Sequence, residues 1–288
     1  MKLANDSATS RDTFDWDYVL WSVRLKLLTS GFFIYLGVFF LAHWLSSWIS
    51  ASYPALSTKK KIDWNMDIAR GVFGVQCSVA GFWALLIDPV FQADKVYSQQ
   101  NWSWLHCLVA SGFMLLDDVY LLVSDIVFRA RSVILLVHHF FASGALLGLI
   151  INIKSGHYLI LIGLLLEMIT PLTCIKTLLT MTGNANTLFG KVNRWVRVHI
   201  LHCREVLTYH MWWVCISNWN DVVENLGLPY FIVFFMGLSI LTFIINPYWI
   251  YVTTLQLFGP IDTNSPNTAV EKGSSGKLNS ETFQKKKI

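Results

Sequence analysis

Seven apolar stretches, at about 28–49, 68–88, 103–123, 132–151, 157–180, 196–217 and 227–251, are each long enough to supply the roughly 20 residues of helix that a bilayer core demands. In lipid every backbone N–H and C=O must find its partner inside the protein, so a chain built this way packs its spans as helices side by side. The fold class read from this pattern is all-α, a polytopic membrane helix bundle of about seven transmembrane helices over residues 28–257. It carries a lumenal N-terminal segment at 1–27 and a disordered cytosolic tail at 258–288. Only 14% of the 288 residues are charged and 54% are hydrophobic, more apolar surface than one soluble core can hide. The surplus of 22 Lys plus Arg over 18 Asp plus Glu sits mostly in loops, where it bears on topology and not on nucleic acid. Partners are expected in the bilayer, as membrane lipid or a fatty acyl chain, and a homodimer is compatible with the sequence. Aromatic pairs such as Trp44 and Trp48, Trp102 and Trp104, and Tyr248 and Trp249 flank the apolar runs, at the depth that amphipathic rings favour.

Loop charges give an orientation. Lys59, Lys60, Lys61 and Arg70 follow the first span, Arg129 and Arg131 the third, and Lys191, Arg194 and Arg197 the fifth. Asp88 and Asp94 follow the second, and Asp221 and Glu224 precede the last. By the positive-inside rule the odd loops are cytosolic, the N-terminus lumenal and the C-terminus cytosolic, with Arg24 and Lys26 arguing the other way. The glycosylation acceptors Asn5-Asp6-Ser7 and Asn101-Trp102-Ser103 both fall on the lumenal side of this scheme. The chain ends Lys285-Lys286-Lys287-Ile288, which resembles a cytosolic dilysine signal read by coat protein to return membrane proteins to the endoplasmic reticulum. Residues 1–13 and 259–284 are polar and poor in apolar side chains, as disordered segments are. The five Cys lie singly, with no metal-ligand spacing, and read as small buried hydrophobes.

Several ionisable residues occupy positions that lipid disfavours. Asp117 and Asp118 interrupt an apolar run, and an ionised carboxylate there must be paired or solvated, so a site is the first expectation and an interhelical clamp the alternative. Neighbours diverge by about 100° around a helix, so the two acids address different partners. His138 and His139 open the fourth span; neutral imidazole is the cheapest strong base to bury and can take and return a proton near neutral pH. A structural hydrogen-bonded pair is the alternative, and metal binding lacks the accompanying ligand spacing. Glu167 is a third buried acid. Thr170 shares its face, and Pro171 frees the Glu167 carbonyl and predicts a kink where a cavity could open. Lys176 lies about 180° from Glu167 and reaches for the interface instead. The sixth span is the most interrupted, by Arg197, His199, His202, Arg204, Glu205 and His210. His199, His202 and His210 share nearly one face, and with Arg204 they either line the polar interior or meet a lipid phosphate; an interfacial basic cluster is the alternative.

These segments resemble the TLC-domain family, which includes ceramide synthases and translocation-associated membrane proteins, and within it the branch of TLC-domain protein four. The resemblance rests on Ser57-Thr-Lys-Lys-Lys-Ile-Asp-Trp-Asn, Leu86-Ile-Asp-Pro, Ala93-Asp94, the run from Gly112 to Asp117, the pair His138-His139, and Glu167-Met-Ile-Thr-Pro171. It implies a helical bundle whose core encloses a lipid or acyl chain. By likeness to ceramide synthases, it also implies acyl transfer from acyl-coenzyme A as co-substrate. His138 or His139 then acts as general base or acyl acceptor, Asp117 as the group that orients it, and Glu167 helps hold the polar headgroup; from the residues themselves, Asp118, Thr170, His202 and Arg204 are expected to join Glu167 in holding the lipid. The synthase signature H-D-x-x-D does not follow the His pair, residues 144–168 contain no Asp, and the hydroxyl expected after the pair is Ser143. Three readings therefore stand: a lipid-handling protein, an acyltransferase, and a membrane chaperone or structural factor.

Overall fold

The apolar runs wind into helices longer than the runs themselves, because polar flanks continue the helix beyond the lipid-compatible stretch. The computed structural model describes residues 16–129, 132–154 and 156–258. α1 spans Trp21–Ile49 and takes in seven residues of the segment expected to precede it. Ser57 caps α2, Thr58–Phe82, through the Lys60 N–H, so α2 starts ten residues before its apolar run. A π-helical turn, Trp83–Ile87, carries α2 to Asp88. Short α3, Pro89–Ala93, is followed by α4, Asn101–Phe128, and α5, Val133–Ile151. α6, Tyr158–Leu165, passes through a 3-10 turn, Leu166–Ile169, into α7, Thr170–Met181, so the kink predicted at Pro171 is realised as a tightened turn just before it. α8 is Leu188–Ser217, α9 Trp219–Asn225 and α10 Leu228–Ile240; a π-helical turn, Leu241–Ile245, joins α10 to α11, Asn246–Phe258.

Among the described residues, six of these rods are long and apolar enough to cross a membrane: Trp21–Ile49, Thr58–Ile87, Asn101–Phe128, Val133–Ile151, Tyr158–Met181 and Leu228–Phe258. The expected crossing at 196–217 lies inside α8, whose 30 residues suffice in length but whose basic residues keep it out of that set. α8 hides its charge: Arg197 and Arg204 are buried, while Trp195, Val206, Tyr209, Trp213 and Ile216 are exposed. The same inversion holds around the molecule, where Phe33, Leu41, Leu86, Ile126, Phe140 and Phe243 lie on the outside. An outward apolar surface of that extent suits hydrocarbon and not water.

The helices pack α1 on α4 and α2, α2 on α6 and α7, α5 on α10 and α4, and α8 on α11 and α7. At the α1–α4 crossing a Cβ added to Gly112 would stand 2.2 Å from the Leu28 carbonyl oxygen, so only glycine lets the two backbones meet there. Tyr35, Phe73 and Phe113 interlock α1, α2 and α4, with the Phe73 and Phe113 rings stacked 4.0 Å apart. The motif at 86–89 proves architectural. Asp88 accepts from the backbone N–H groups of Val90 and Phe91, from Gln100 Nε2 at 2.8 Å and from Trp102 Nε1 at 3.0 Å, pinning the α2–α3 corner to the start of α4.

Three expectations change. Arg24 is a clamp and not a loop charge: 1% exposed, it donates to the carbonyls of Ile150 and Val19 and lies 4.0 Å from the Trp21 ring. Arg24→Ala is expected to cost about 3 kcal/mol, through two lost charge-assisted bonds and an orphaned helix-end carbonyl, read as a lowered midpoint in detergent melting. Ser103 of the Asn101 acceptor is fully buried, donates to the Gln100 carbonyl and sits 2.7 Å from His157 Nδ1, so that acceptor is closed in the folded chain. Cys203 is exposed, unlike the four buried cysteines. Asn5, the segment 1–13, the tail 259–284 and Lys285-Lys286-Lys287-Ile288 lie outside the described residues.

Candidate functional site

Four elements bring their ionisable side chains to one place in the bundle. α2 contributes Asp67 and Arg70, α4 contributes Asp117 and Asp118, α5 contributes His138, His139 and Ser143, and the α6–α7 turn contributes Glu167 and Thr170. The approach of α2 to the turn requires Gly74, where a Cβ would meet Pro171 Cδ at 2.6 Å and the Glu167 carbonyl oxygen at 2.9 Å. Pro171 and Gly74 together therefore set the height at which Glu167 enters the centre.

Asp117 and Asp118 divide the work as their 100° divergence requires. Asp117, 3% exposed, takes the Arg70 guanidinium as a fork: Nη2 at 2.7 Å and Nε at 3.0 Å from Oδ1. Arg70 Nη1 also reaches Asp67 Oδ1 at 3.3 Å, and its Cζ lies 4.9 Å from the Tyr120 ring, whose hydroxyl donates to Asp63 at 2.7 Å. Asp118 instead takes His139 Nδ1 at 2.9 Å on one oxygen and the Ser143 hydroxyl at 2.6 Å on the other. His139 Nε2 stands 3.6 Å from Asp117 Oδ2, outside hydrogen-bond length. The residue that orients His139 is thus Asp118, where Asp117 was expected; Asp117 is committed to Arg70 because α2 lies on its side of α4 and α5 on the other.

His138 belongs to a second arm. Its Nε2 lies 3.5 Å from Glu167 Oε1, and the other Glu167 oxygen accepts from the Thr170 hydroxyl at 2.6 Å. The His138 ring stands edge-on to His139 at 5.8 Å and to Trp249 of α11 at 5.3 Å. Arg204 of α8 covers the same tryptophan at 4.9 Å and lies within electrostatic reach of Glu167. Of the predicted set, His138, His139, Asp117, Asp118, Glu167 and Thr170 converge, and Arg204 borders them. His202 does not join: it is exposed, and its Nδ1 is satisfied by the Val198 carbonyl at 2.7 Å. His199 packs on Trp195 and His210 pairs with the Tyr158 hydroxyl at 2.8 Å, so the shared helical face does not become a histidine cluster.

Arg70, Asp67 and Trp249 were missed. The signal for the first two was present in Asp63, Asp67 and Arg70, spaced i, i+4, i+7 on one helical face, but Arg70 was read as a loop charge. The centre contains an imidazole with Nδ1 fixed on the Asp118 carboxylate and, among the described residues, Nε2 no nearer to Asp117 than 3.6 Å. That is the arrangement for taking a proton from a hydroxyl or amine. Among the described residues no group of three or more His, Cys, Asp or Glu is placed to hold a metal ion.

A family model described as the TLC domain matches residues 63–253, a range that contains every member of this centre. Protein CLN8 of Homo sapiens is 47% identical over 264 residues, covering 92% of this chain and 92% of that protein. Protein CLN8 of Canis lupus familiaris is 45% identical over 282 residues, covering 98% of each. TLC domain-containing protein 4 of Homo sapiens is 28% identical over 100 residues, 33% of this chain and 38% of that protein, so the branch expected from the motifs gives way to the full-length likeness. No solved structure matches the chain with significance.

Proposed function

The chain belongs to the TLC-domain family, and from that premise we propose that it is a membrane protein that binds and handles lipid, contributing to membrane lipid homeostasis. The observation that carries this reading is the gathering of Asp67, Arg70, Asp117, Asp118, His138, His139 and Glu167 inside a bundle whose outer surface is apolar. Gathering so many ionisable groups, buried or half-buried, inside a membrane bundle is expensive, and a polar headgroup at the end of an apolar chain is the ligand whose chemistry repeats that contrast. The test is lipid mass spectrometry on detergent-purified protein. Wild type is expected to retain a defined lipid class that is depleted at least about tenfold in Glu167→Gln/Thr170→Val, and an indiscriminate lipid profile identical in both would sink the reading.

A second reading, acyl transfer from acyl-coenzyme A, is favoured by one contact, the 2.9 Å bond between His139 Nδ1 and Asp118. In that reaction His139 Nε2 takes the proton of the acceptor hydroxyl or amine as its oxygen or nitrogen attacks the thioester carbonyl. The C–S bond then breaks and the coenzyme A thiolate leaves and is protonated. A third reading, a membrane chaperone or structural factor, draws on the mutual pairing of the same groups.

Residence in the endoplasmic reticulum, with coat protein reading Lys285-Lys286-Lys287-Ile288, belongs to this proposal, as does a lumenal N-terminus and cytosolic C-terminus. Termini on opposite sides need an odd number of crossings, so α8 must be the seventh. Its 30 residues extend about 45 Å, against a hydrocarbon core of about 30 Å.

A further inference from the structure

The centre described above leaves the interior face of α8 unexplained. Arg197 and Arg204 are seven residues apart, so they project from nearly the same side of the helix with roots about 10 Å apart. They are 6% and 1% exposed, and Nε and Nη1 of Arg197 and Nε and Nη2 of Arg204 are buried without a hydrogen-bond partner. Arg194 lies one turn from Arg197, and its Nε is likewise buried and unpartnered. Lys176 of α7, whose Nζ bonds Gln256 Oε1 at 3.1 Å, is within electrostatic reach of both Arg194 and Arg197. Asn193 Oδ1, one turn before Arg197, is also buried and unsatisfied, as are both side-chain polar atoms of Asn246 at the start of α11. Asn193 itself is held in place by its Nδ2, which donates to the Leu172 carbonyl at 3.0 Å.

The acids within reach do not neutralise this row. Glu205 and Glu167 lie in the field of Arg204. Glu167 is engaged by His138 and Thr170, and Glu205 leaves a buried oxygen of its own unpartnered. Among the described residues four cations thus face two carboxylates, and the end of the row at Lys176, Arg194 and Arg197 has none. Buried guanidinium groups are ordinarily bonded to acceptors, and an anion with several oxygens would satisfy these.

We propose that the face of α8 turned toward α7 and α11 is a binding site for a phosphate ester, held by Arg197 and Arg204 with Lys176 at its entrance. Two planar forks rooted two turns apart match the many oxygens of a phosphate or diphosphate better than the two oxygens of one carboxylate. Asn193 Oδ1, one turn from Arg197, supplies an acceptor for the polar remainder of the ligand. At its inner end Arg204 shares Trp249 with His138, so a ligand anchored by phosphate on α8 delivers its continuation to the His pair. The phosphate belongs either to a phospholipid headgroup or to coenzyme A; the proposal rests on the lipid-handling reading only in taking the ligand to be one of these two.

Binding of coenzyme A, of dioctanoyl phosphatidylglycerol and of inorganic pyrophosphate to the full chain in maltoside micelles, followed by calorimetry, tests the site. At least one of the first two is expected to bind saturably and to be displaced by pyrophosphate. Arg197→Gln should weaken binding by about tenfold or more, Arg197→Lys less, and Lys176→Gln by about threefold. Saturation by coenzyme A alone assigns the thioester carrier, and saturation by the lipid alone assigns the headgroup. Arg197→Lys and Lys176→Gln keep the test open if Arg197→Gln or Arg204→Gln is not monodisperse. Failure of all three probes to bind wild type, or wild-type binding by Arg197→Gln and Lys176→Gln, overturns the proposal. Phosphate binding by a protein that retains no defined lipid class would instead keep this site and remove the lipid-handling reading.

Discussion

Asp117→Asn is expected to destabilise the protein by about 2–3 kcal/mol, because it takes from the half-buried Arg70 guanidinium the carboxylate that holds it at 2.7 Å. Asp67 compensates only in part, since it bonds Arg70 through a single oxygen at 3.3 Å. The pair itself contributes much less than that figure, because moving both charges out of water costs most of what their attraction returns. The double variant Asp117→Asn/Arg70→Met should therefore recover most of the loss. Detergent melting of the four proteins in that cycle decides the matter: two single effects that simply add in the double variant would mean that Asp117 and Arg70 do not act as a unit.

If the centre performs acyl transfer, His139→Ala is expected to reduce single-turnover product by about 10²–10⁴-fold, the usual worth of a positioned general base. Asp118→Asn should fall by a comparable factor, because the carboxylate that holds Nδ1 as the donor is what leaves Nε2 the accepting nitrogen. His138→Ala should affect binding more than turnover, since His138 faces Glu167 and Trp249 and not Asp118. The readout is product formed from long-chain acyl-coenzyme A and a mixed pool of amine and alcohol lipids. Product in wild type and equally in Asp118→Asn would remove His139 from the reaction.

The membrane architecture was legible because its signal is strong and local: a run of apolar residues long enough to span. The buried acids and the His pair were legible for the converse reason, since lipid makes each of them costly enough to need a purpose. Which acid serves which base was not. Asp117 and Asp118 are adjacent in sequence, and only the positions of α2 and α5 on opposite sides of α4 assign Arg70 to one and His139 to the other. Arg70 was lost to a competing rule: Lys59, Lys60 and Lys61 read as a topology-setting loop and pulled their neighbours with them, although α2 had already begun at Thr58. Arg24 was lost in the same way, its partner being a carbonyl 126 residues distant. The histidines of α8 failed from the opposite error, in which a shared helical face was taken for a shared destination. His202 satisfies itself on its own helix.

The inverted character of α8 imposes an order of events during synthesis. A segment carrying Arg197 and Arg204 gains little by entering lipid alone, and the surfaces that bury those residues come from α7, made before it, and α11, made after it. Trp249, against which Arg204 lies, leaves the ribosome 45 residues later. Until then α8 lacks the shelter of α11, and its settling into the bundle is expected to wait for the last hairpin. A nonsense codon anywhere before α11 would thus do more than shorten the protein, since it would strand guanidinium groups that the finished bundle exists to enclose.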